Sequence, residues 1–150
     1  MTGLIYQFLD ANLIMYSLGG LHPLQNPSKM ILNKIKQGVF QVVTNTEVLQ
    51  EILYRYFSIK KPGLGELAYF AVINLCEKII PVTVKDTDRA LELLKEYPAV
   101  TSRDAIHAAT MLNNGIKEIL STDPHFDLIT GIRRIDPVKA PGIFHQSKRR

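Results

Sequence analysis

The sequence predicts an α/β fold, a three-layer α/β/α sandwich with a mainly parallel central sheet. Five short apolar runs alternate along the chain with segments whose apolar residues recur at helical spacing. That order is typical of parallel β-α-β units with right-handed crossovers. The chain has 150 residues, of which 46% are hydrophobic and 21% charged. This length and composition suit one globular domain with a buried core and exclude a disordered or disulfide-stapled chain.

The strands are predicted from apolar runs bounded by polar or turn-forming residues. The first run ends at Asp10, and the helix that follows is stopped by Gly19 and Gly20. The next runs fall between helical segments, so that strands and helices alternate. The five predicted strands cover residues 4–9, 40–43, 79–84, 116–120 and 132–135.

The helices are predicted from apolar spacing and from residues that start or end helices. Asn26 before Pro27 predicts an N-cap with proline at the first helical position, and Thr44 with Glu47 fits a capping box. Pro98 ends a later helix. The predicted helices cover residues 11–18, 27–38, 48–56, 64–78, 86–97 and 101–115.

One domain is expected over residues 1–137, followed by a basic tail at 138–150. The formal net charge is +4, but residues 148–150 supply three positive charges, so the charge alone says little about a nucleic-acid partner. The single cysteine, Cys76, is predicted to be a buried hydrophobe in a helix and in a reducing compartment. No signal-peptide pattern and no apolar stretch long enough for a membrane span occur, so a cytoplasmic protein without a membrane partner is expected.

Four acidic residues are candidates for a metal site. Asp10 and Asp123 follow predicted strands, and in parallel sheets ligands bind beyond the carboxyl ends of the strands. Asp104 and Glu51 lie in the first two turns of predicted helices, where a carboxylate is favourable. Carboxylates this close together repel one another unless a proton or a cation lies between them, and Mg²⁺ or Mn²⁺ is the natural cation.

Each of these acids also has a purely structural interpretation. Asp10 fits an N-cap of the helix that begins at residue 11. Asp104 fits the third position of a capping box opened by Thr101. Glu51 lies roughly 130° from the centre of the apolar stripe of its helix, which predicts a solvated surface carboxylate. Asp123, which precedes a proline, fits an Asx-turn.

The acids occur in four short segments whose order and spacing are distinctive: residues 9–14, 46–52, 103–109 and 120–127. On these segments the chain resembles the PIN-domain family, most closely the toxin ribonucleases of VapC-type toxin–antitoxin pairs. The resemblance extends from about residue 5 to residue 137. It implies an endoribonuclease that depends on Mg²⁺ or Mn²⁺ and hydrolyses RNA phosphodiesters.

The resemblance also implies roles for individual residues. The catalytic acids are Asp10, Glu51, Asp104 and Asp123, and the metal ligands are Asp10, Asp104 and Asp123. Two polar residues, Asn12 and Thr122, are expected to hold these carboxylates in place. His107 is expected to be structural and to face away from Asp104.

Contacts with other molecules are expected on the predicted helical hairpin near residues 48–78. Arg55, Lys60 and Lys61 are candidates to contact RNA phosphates, although a normally solvated helix surface is the simpler explanation of these residues. The hairpin also carries more apolar surface than two helices need to cover one sheet, which fits a homodimer, although a monomer core explains these apolar residues as well. An antitoxin peptide is expected in a neighbouring groove.

Other functions remain open at this point. One is a housekeeping PIN-type nuclease that processes RNA without an inhibitor. Another is a catalytically silent PIN-like module that binds RNA or supports assembly. A haloacid-dehalogenase-like phosphotransferase, or an exonuclease that opens with Asp-x-Glu, would need an acid at position 12, where this chain has Asn12.

Overall fold

Five short parallel strands form the central sheet of this computed structural model, which describes residues 5–139. The sheet order is β3-β2-β1-β4-β5, and every pair of neighbouring strands is parallel. The strands are β1 (Gln7–Leu9), β2 (Val42–Asn45), β3 (Lys78–Ile80), β4 (Glu118–Leu120) and β5 (Arg133–Ile135). The predicted parallel sheet is therefore confirmed. Of the expected basic tail at 138–150, only residues 138 and 139 belong to the described part of the chain.

Six α-helices and one 3₁₀-helix connect these strands within residues 5–139. They are α1 (Ala11–Leu18), α2 (Gln25–Lys36), α3 (Thr46–Ser58), α4 (Pro62–Leu75), α5 (Val84–Glu96), α6 (Ser102–Asn113) and the 3₁₀-helix Pro124–Leu128. None of the helices in this part of the chain is long and apolar enough to cross a membrane.

The helices form two groups, in agreement with the predicted three-layer α/β/α sandwich. Helices α1 to α4 contact one another, and α5 packs along α6. The chain moves from β1 through β2 to β3 in one direction, then crosses back to β4 on the other side of β1. Because such crossovers are right-handed, this reversal places the two helix groups on opposite faces of the sheet. The reversal lies between β1 and β4.

The central strands are buried because both sheet faces are covered. Phe8 and Leu9 in β1 and Ile119 and Leu120 in β4 have no exposed surface. The edge strands β3 and β5 each expose their first residue to solvent. The buried strands β1 and β4 thus hold the residues that directly follow them in defined positions.

The third helix begins differently from the prediction, and the proposed capping box at Thr44 and Glu47 is wrong. Asn45 is the N-cap residue, and its side chain accepts a hydrogen bond from the Val48 amide at 3.1 Å. Thr44 still belongs to β2, and its hydroxyl donates to the Leu9 carbonyl at 2.8 Å. Strand pairing therefore continues one residue further than the capping pattern suggests.

Two other predicted boundaries also shift. Helix α2 begins at Gln25, so that Asn26 is not its cap and Pro27 lies inside its first turn, where proline is tolerated. Strand β3 ends at Ile80 because Thr83 caps α5 by a capping box with Asp86. The predicted extension of this strand to residue 84 is therefore wrong.

The cysteine interpretation holds only in part. Cys76 follows the last residue of α4 and is partly buried rather than fully enclosed. Burial raises the pKa of its thiol to about 12. The thiol therefore stays protonated and unreactive at neutral pH.

Helices α3 and α4 form the predicted hairpin and pack tightly at Gly65. A Cβ atom at this position would lie 2.9 Å from the Tyr56 Cβ, so only glycine permits this approach. The outer surface of the hairpin is apolar and exposed. We call this surface the hairpin patch; it consists of Leu53, Tyr54, Phe57, Leu67 and Phe70.

Candidate metal centre

The carboxyl ends of β1 and β4 lie side by side at the point where the sheet order reverses. Leu9 pairs with Leu120, and the Asp10 amide donates a hydrogen bond to the Leu120 carbonyl at 3.1 Å. Asp123 follows three residues after β4 ends. In open α/β sheets this position is where ligands bind.

Ser121 connects the two aspartates. Its hydroxyl donates to Asp10 Oδ2 at 2.7 Å and accepts a hydrogen bond from the Asp123 amide at 3.0 Å. Sequence reasoning missed this residue. The available signal was its position directly after a buried strand, which corresponds to that of Asp10 after β1.

Asn12 contacts the same group, and Thr122 contributes through its backbone. Asn12 Nδ2 donates to Asp10 Oδ2 and to Ser121 Oγ, both at 3.2 Å. Asn12 Oδ1 accepts from the Thr122 amide at 3.3 Å. The contact recorded for Thr122 is thus made by its N–H and not by the hydroxyl that the sequence suggested.

The side chains of Asp10 and Asp104 do not serve as helix caps. Asp10 occupies the N-cap position of α1, but its carboxylate makes no capping bond and turns to Ser121 instead. Thr101 caps α6 by accepting from the Asp104 amide, without a reciprocal bond from the carboxylate. Asp104 Oδ2 is buried, with no hydrogen-bond partner among residues 5–139. Both carboxylates are therefore available to a ligand.

Glu51 faces the site and not the solvent, contrary to the periodicity of its helix. Its Oε1 lies 2.5 Å from His107 Nε2, and its side chain is 16% exposed. Helix α3 contacts α6 as well as α4. It therefore buries residues outside the apolar face that its sequence pattern predicts. The resemblance to the PIN-domain family placed Glu51 in the site, whereas the helical periodicity placed it in solvent.

His107 lies at the centre of the group. It is fully buried, and its Nε2 is 3.9 Å from Asp10 Oδ1. Its contacts are with Glu51 and Asp10, and the expectation that it faces away from Asp104 stays a prediction. Burial lowers the pKa of His107, but the hydrogen bond to Glu51 and the charge of Asp10 outweigh it and leave this pKa raised.

Two sets of three side chains have the spacing of metal ligands. Ligand atoms of Asp10, Glu51 and His107 lie within 4.8 Å of one another, and so do those of Asp104, Asp123 and His125. We call them the inner triad and the outer triad. His125 was not singled out from the sequence, and its Nδ1 is 2.9 Å from Asp123 Oδ1.

The electrostatics of the triads favour an added positive charge. Burial raises the pKa of Asp10, and the charge of Glu51 adds to the effect. Burial, a hydrogen bond with Asp123 and the neighbouring carboxylates raise the pKa of Asp104 to about 9. Burial also works to raise the pKa of Asp123, but the bonds with Asp104 and His125 lower it. Asp104 therefore holds a proton where a cation would otherwise be expected.

The Asx-turn interpretation of Asp123 is correct and compatible with a role in the cluster. Asp123 Oδ1 accepts a hydrogen bond from the His125 amide at 2.9 Å and caps the 3₁₀-helix. The fully buried Phe126 anchors this helix in the core. The turn thus fixes the orientation of the Asp123 carboxylate.

Of the three residues predicted to contact phosphates, Arg55 lies near the inner triad, whereas Lys60 and Lys61 lie farther away. Arg55 is exposed and lines a groove with Asn12, Tyr16 and His22, so the groove adjoins the inner triad through Asn12. Lys60 and Lys61 lie beyond the end of α3. At 1.5 Å rise per residue, Lys60 is about 14 Å from Glu51 along the helix axis.

Residues 7–132 match the family model described as the PIN domain. The chain belongs to the PIN-domain family. Ribonuclease VapC13 of Mycobacterium tuberculosis is 34% identical to it over 127 residues, which cover 85% of this chain and 97% of that relative. Ribonuclease VapC23 of the same species is 31% identical over 116 residues, with 77% and 91% covered.

Solved structures share the fold of this PIN domain. Its TM-score to the DNA-bound VapBC of Salmonella typhimurium is 0.69 at 16% identity, with 89% of this chain and 99% of that chain covered. The value for Mycobacterium tuberculosis VapC20, described as a Sarcin-Ricin loop cleaving toxin, is 0.66 at 19% identity, with 81% and 92% covered. The α/β architecture predicted from the sequence is thus that of known PIN domains.

Proposed function

We propose that the domain of residues 1–137 is a metal-dependent endoribonuclease that hydrolyses RNA phosphodiesters in the cytoplasm, as the toxin of a toxin–antitoxin pair. The observation that carries this proposal is the proximity of the inner and outer triads: the charges of Asp10, Glu51 and Asp123 all act on the Asp104 carboxyl. The relatives named as VapC ribonucleases, which align over most of this chain, support it.

The residues fit a divalent cation. Asp104 Oδ2 is a buried oxygen without a hydrogen-bond partner in the described structure, and the raised pKa of Asp104 indicates that this position favours added positive charge. Asp10, Asp104 and Asp123 would hold Mg²⁺ or Mn²⁺, since both ions favour carboxylate oxygens. When bound, such an ion activates water as a nucleophile and stabilises the charge of the transition state.

The remaining groups position this machinery. Ser121 and Asn12 hold the Asp10 carboxylate by two hydrogen bonds of 2.7 and 3.2 Å, and Asn12 also donates to Ser121 at 3.2 Å. His107 holds Glu51, whose carboxylate is then aimed to orient a water beside the scissile phosphodiester and to accept its proton.

Cleavage of a structured RNA tests the proposal directly. Purified protein should cut the RNA with Mn²⁺ or Mg²⁺ and stop cutting when EDTA is added. Cleavage that continues in EDTA after dialysis would contradict metal dependence. RNA binding without any cleavage under all metal conditions would favour the silent module instead.

Ser121→Ala should weaken Mn²⁺ binding and RNA cleavage about 10- to 100-fold, because groups that orient metal ligands typically contribute this much. Calorimetric titration and initial rates measure the two effects. Ser17→Ala is the matched control, since Ser17 is also buried but its hydroxyl donates to the Ile14 carbonyl away from the cluster. Equal behaviour of the two variants would rule out the positioning role of Ser121.

Arg55→Ala should weaken RNA binding and reduce the slope of log affinity against log salt by about one, as expected for one lost phosphate contact. Binding is measured by fluorescence anisotropy with EDTA present. Lys117→Ala is the control, because Lys117 is exposed before β4 at the opposite edge of the sheet. We propose that Lys60 and Lys61 contact more distant phosphates. If their replacement leaves the slope of log affinity against log salt unchanged, they make no phosphate contact.

We propose that the hairpin patch forms a homodimer. Phe57 is 55% and Leu67 56% exposed, more apolar surface than a monomer needs to leave in water. Light scattering should give twice the 16.9 kDa chain mass, and Phe57→Glu should halve it. Leu91→Glu, at a similarly exposed leucine on α5, should leave the dimer intact; a monomeric unmodified protein would refute the proposal.

An antitoxin segment is the proposed occupant of a groove between α1, α2 and α4, which adjoins the hairpin patch at Leu67. This groove is lined by apolar side chains that include Ile14, Leu32 and Leu75, with Lys29 and Lys36 at its edge. Such a surface suits an amphipathic peptide with acidic residues. The structural neighbours described as toxin–antitoxin complexes support a partner of this kind.

A further inference from the structure

The outer triad contains a nitrogen ligand that an all-carboxylate site lacks. His125 Nδ1 lies 2.9 Å from Asp123 Oδ1, and the ligand atoms of Asp104, Asp123 and His125 are mutually within 4.8 Å. Ligands on opposite sides of one ion, with bonds of about 2.1 Å, lie just over 4 Å apart. The distances between the three atoms are thus close to those of atoms that bind one ion.

A second observation points to a ligand at this place. Asp104 is 8% exposed, and its Oδ2 is a buried acceptor with no partner among the described residues. Such an atom loses its hydration without compensation unless something binds it. The His125 ring is 45% exposed at the outer side of the triad, so an ion can reach the three atoms from solvent.

The backbone fixes His125 in this position. The Asp123 side chain accepts from the His125 amide, and the next residue, Phe126, is fully buried. The imidazole therefore needs little reorganisation to bind an ion. His125 Nδ1 contacts Asp123 Oδ1 at 2.9 Å, as His107 Nε2 contacts Glu51 Oε1 at 2.5 Å, but the His125 side chain is 45% exposed and that of His107 is fully buried.

We propose that His125 binds the divalent cation through Nδ1, together with Asp104 and Asp123, and that this ligand makes the site prefer Mn²⁺ to Mg²⁺. Nitrogen ligands suit first-row transition ions, whereas Mg²⁺ is bound by oxygen. For Nδ1 to bind, His125 takes the tautomer with its proton on Nε2, and Nδ1 exchanges its contact with Asp123 Oδ1 for the ion. This inference rests on the proposed function, which requires only that a cation binds.

Pulsed EPR of the Mn²⁺-loaded protein tests the proposal. The full chain, without a polyhistidine tag, should show electron spin echo modulation from a directly bound ¹⁴N nucleus. Labelling histidine with ¹⁵N should replace this modulation by the ¹⁵N pattern. His125→Gln should abolish it, whereas His22→Gln, His107→Gln and His145→Gln should retain it; His145 lies outside the described residues.

Affinities provide a second readout. His125→Gln should weaken Mn²⁺ binding about 10-fold and change Mg²⁺ binding by less than about twofold. Circular dichroism checks that the variant folds, and His125→Asn serves if it does not.

The outcomes separate the inference from the proposed function. Absence of both Mn²⁺ and Mg²⁺ binding by the unmodified protein would overturn both, whereas Mg²⁺ binding without Mn²⁺ binding would overturn the inference alone. Mn²⁺ binding without nitrogen modulation would overturn the role of His125 and leave the proposed function standing. Modulation that survives in His125→Gln and disappears in His107→Gln would assign the ion to the inner triad instead.

Discussion

Asp10→Asn should lower the rate of RNA cleavage on the order of 10³-fold and, at neutral pH, should stabilise the metal-free protein. The rate falls because the variant loses a negative charge that holds the cation, and such ions contribute several kcal/mol to transition-state stabilisation. Asparagine keeps one oxygen for the hydrogen bonds from Ser121 and Asn12. The change therefore removes charge and leaves the local packing unaltered.

The stability gain follows from the raised pKa of Asp10, which results mainly from burial. A buried carboxylate beside Glu51 costs free energy when ionised, and a neutral amide does not. Initial rates with Mn²⁺ and chemical denaturation in EDTA measure the two effects. Asp88→Asn, at an exposed acid on α5, should change neither. An active Asp10→Asn enzyme would remove the basis for the proposed mechanism.

The positions of Asp10 and Asp123 could be predicted because they depend only on topology. Both residues follow strands, and parallel strands end at the same edge of the sheet. Which strands are neighbours is not visible in an apolar pattern, but the β-α-β order limits the possibilities to a few. The resemblance supplied the remaining acids by motif.

The contacts around the acids could not be predicted, because they depend on packing between elements that are distant in sequence. Glu51 reaches His107 because α3 contacts α6 as well as α4. The spacing of apolar residues along one helix predicts only one buried face and so cannot reveal the second contact. Ser121 and His125 are short-range features of the loop after β4, but serine and histidine in a loop are common. Their importance follows from the distances to Asp10 and Asp123.

The affinity for Mn²⁺ should rise roughly tenfold per pH unit between pH 6 and pH 8. In the metal-free protein Asp104 has a raised pKa of about 9, mainly because of burial. It is therefore protonated throughout this range, and each ion that binds must displace that proton. A reaction that releases one proton changes its equilibrium constant tenfold for each pH unit.

The same pKa makes the metal-free protein less stable as the pH rises. The unfolded chain ionises Asp104 near pH 4 and the folded chain only near pH 9, so the contribution of this group to stability is fully present below pH 4 and is lost as the pH rises towards 9. The raised pKa of His107 acts in the same direction at higher pH, whereas the lowered pKa of Asp123 acts oppositely below pH 4. Saturating Mn²⁺ should remove the loss of stability by replacing the proton.

Calorimetry at pH 6, 7 and 8, repeated in buffers of different ionisation enthalpy, measures both the affinity and the number of protons released. About one proton per ion is expected at pH 7. Denaturation in EDTA over the same range measures the stability, and Asp104→Asn should flatten its decline because the amide does not titrate. Asp88→Asn should keep the decline of the unmodified protein. An affinity independent of pH would mean that no proton leaves Asp104 when the cation binds, and would contradict the raised pKa of this carboxyl.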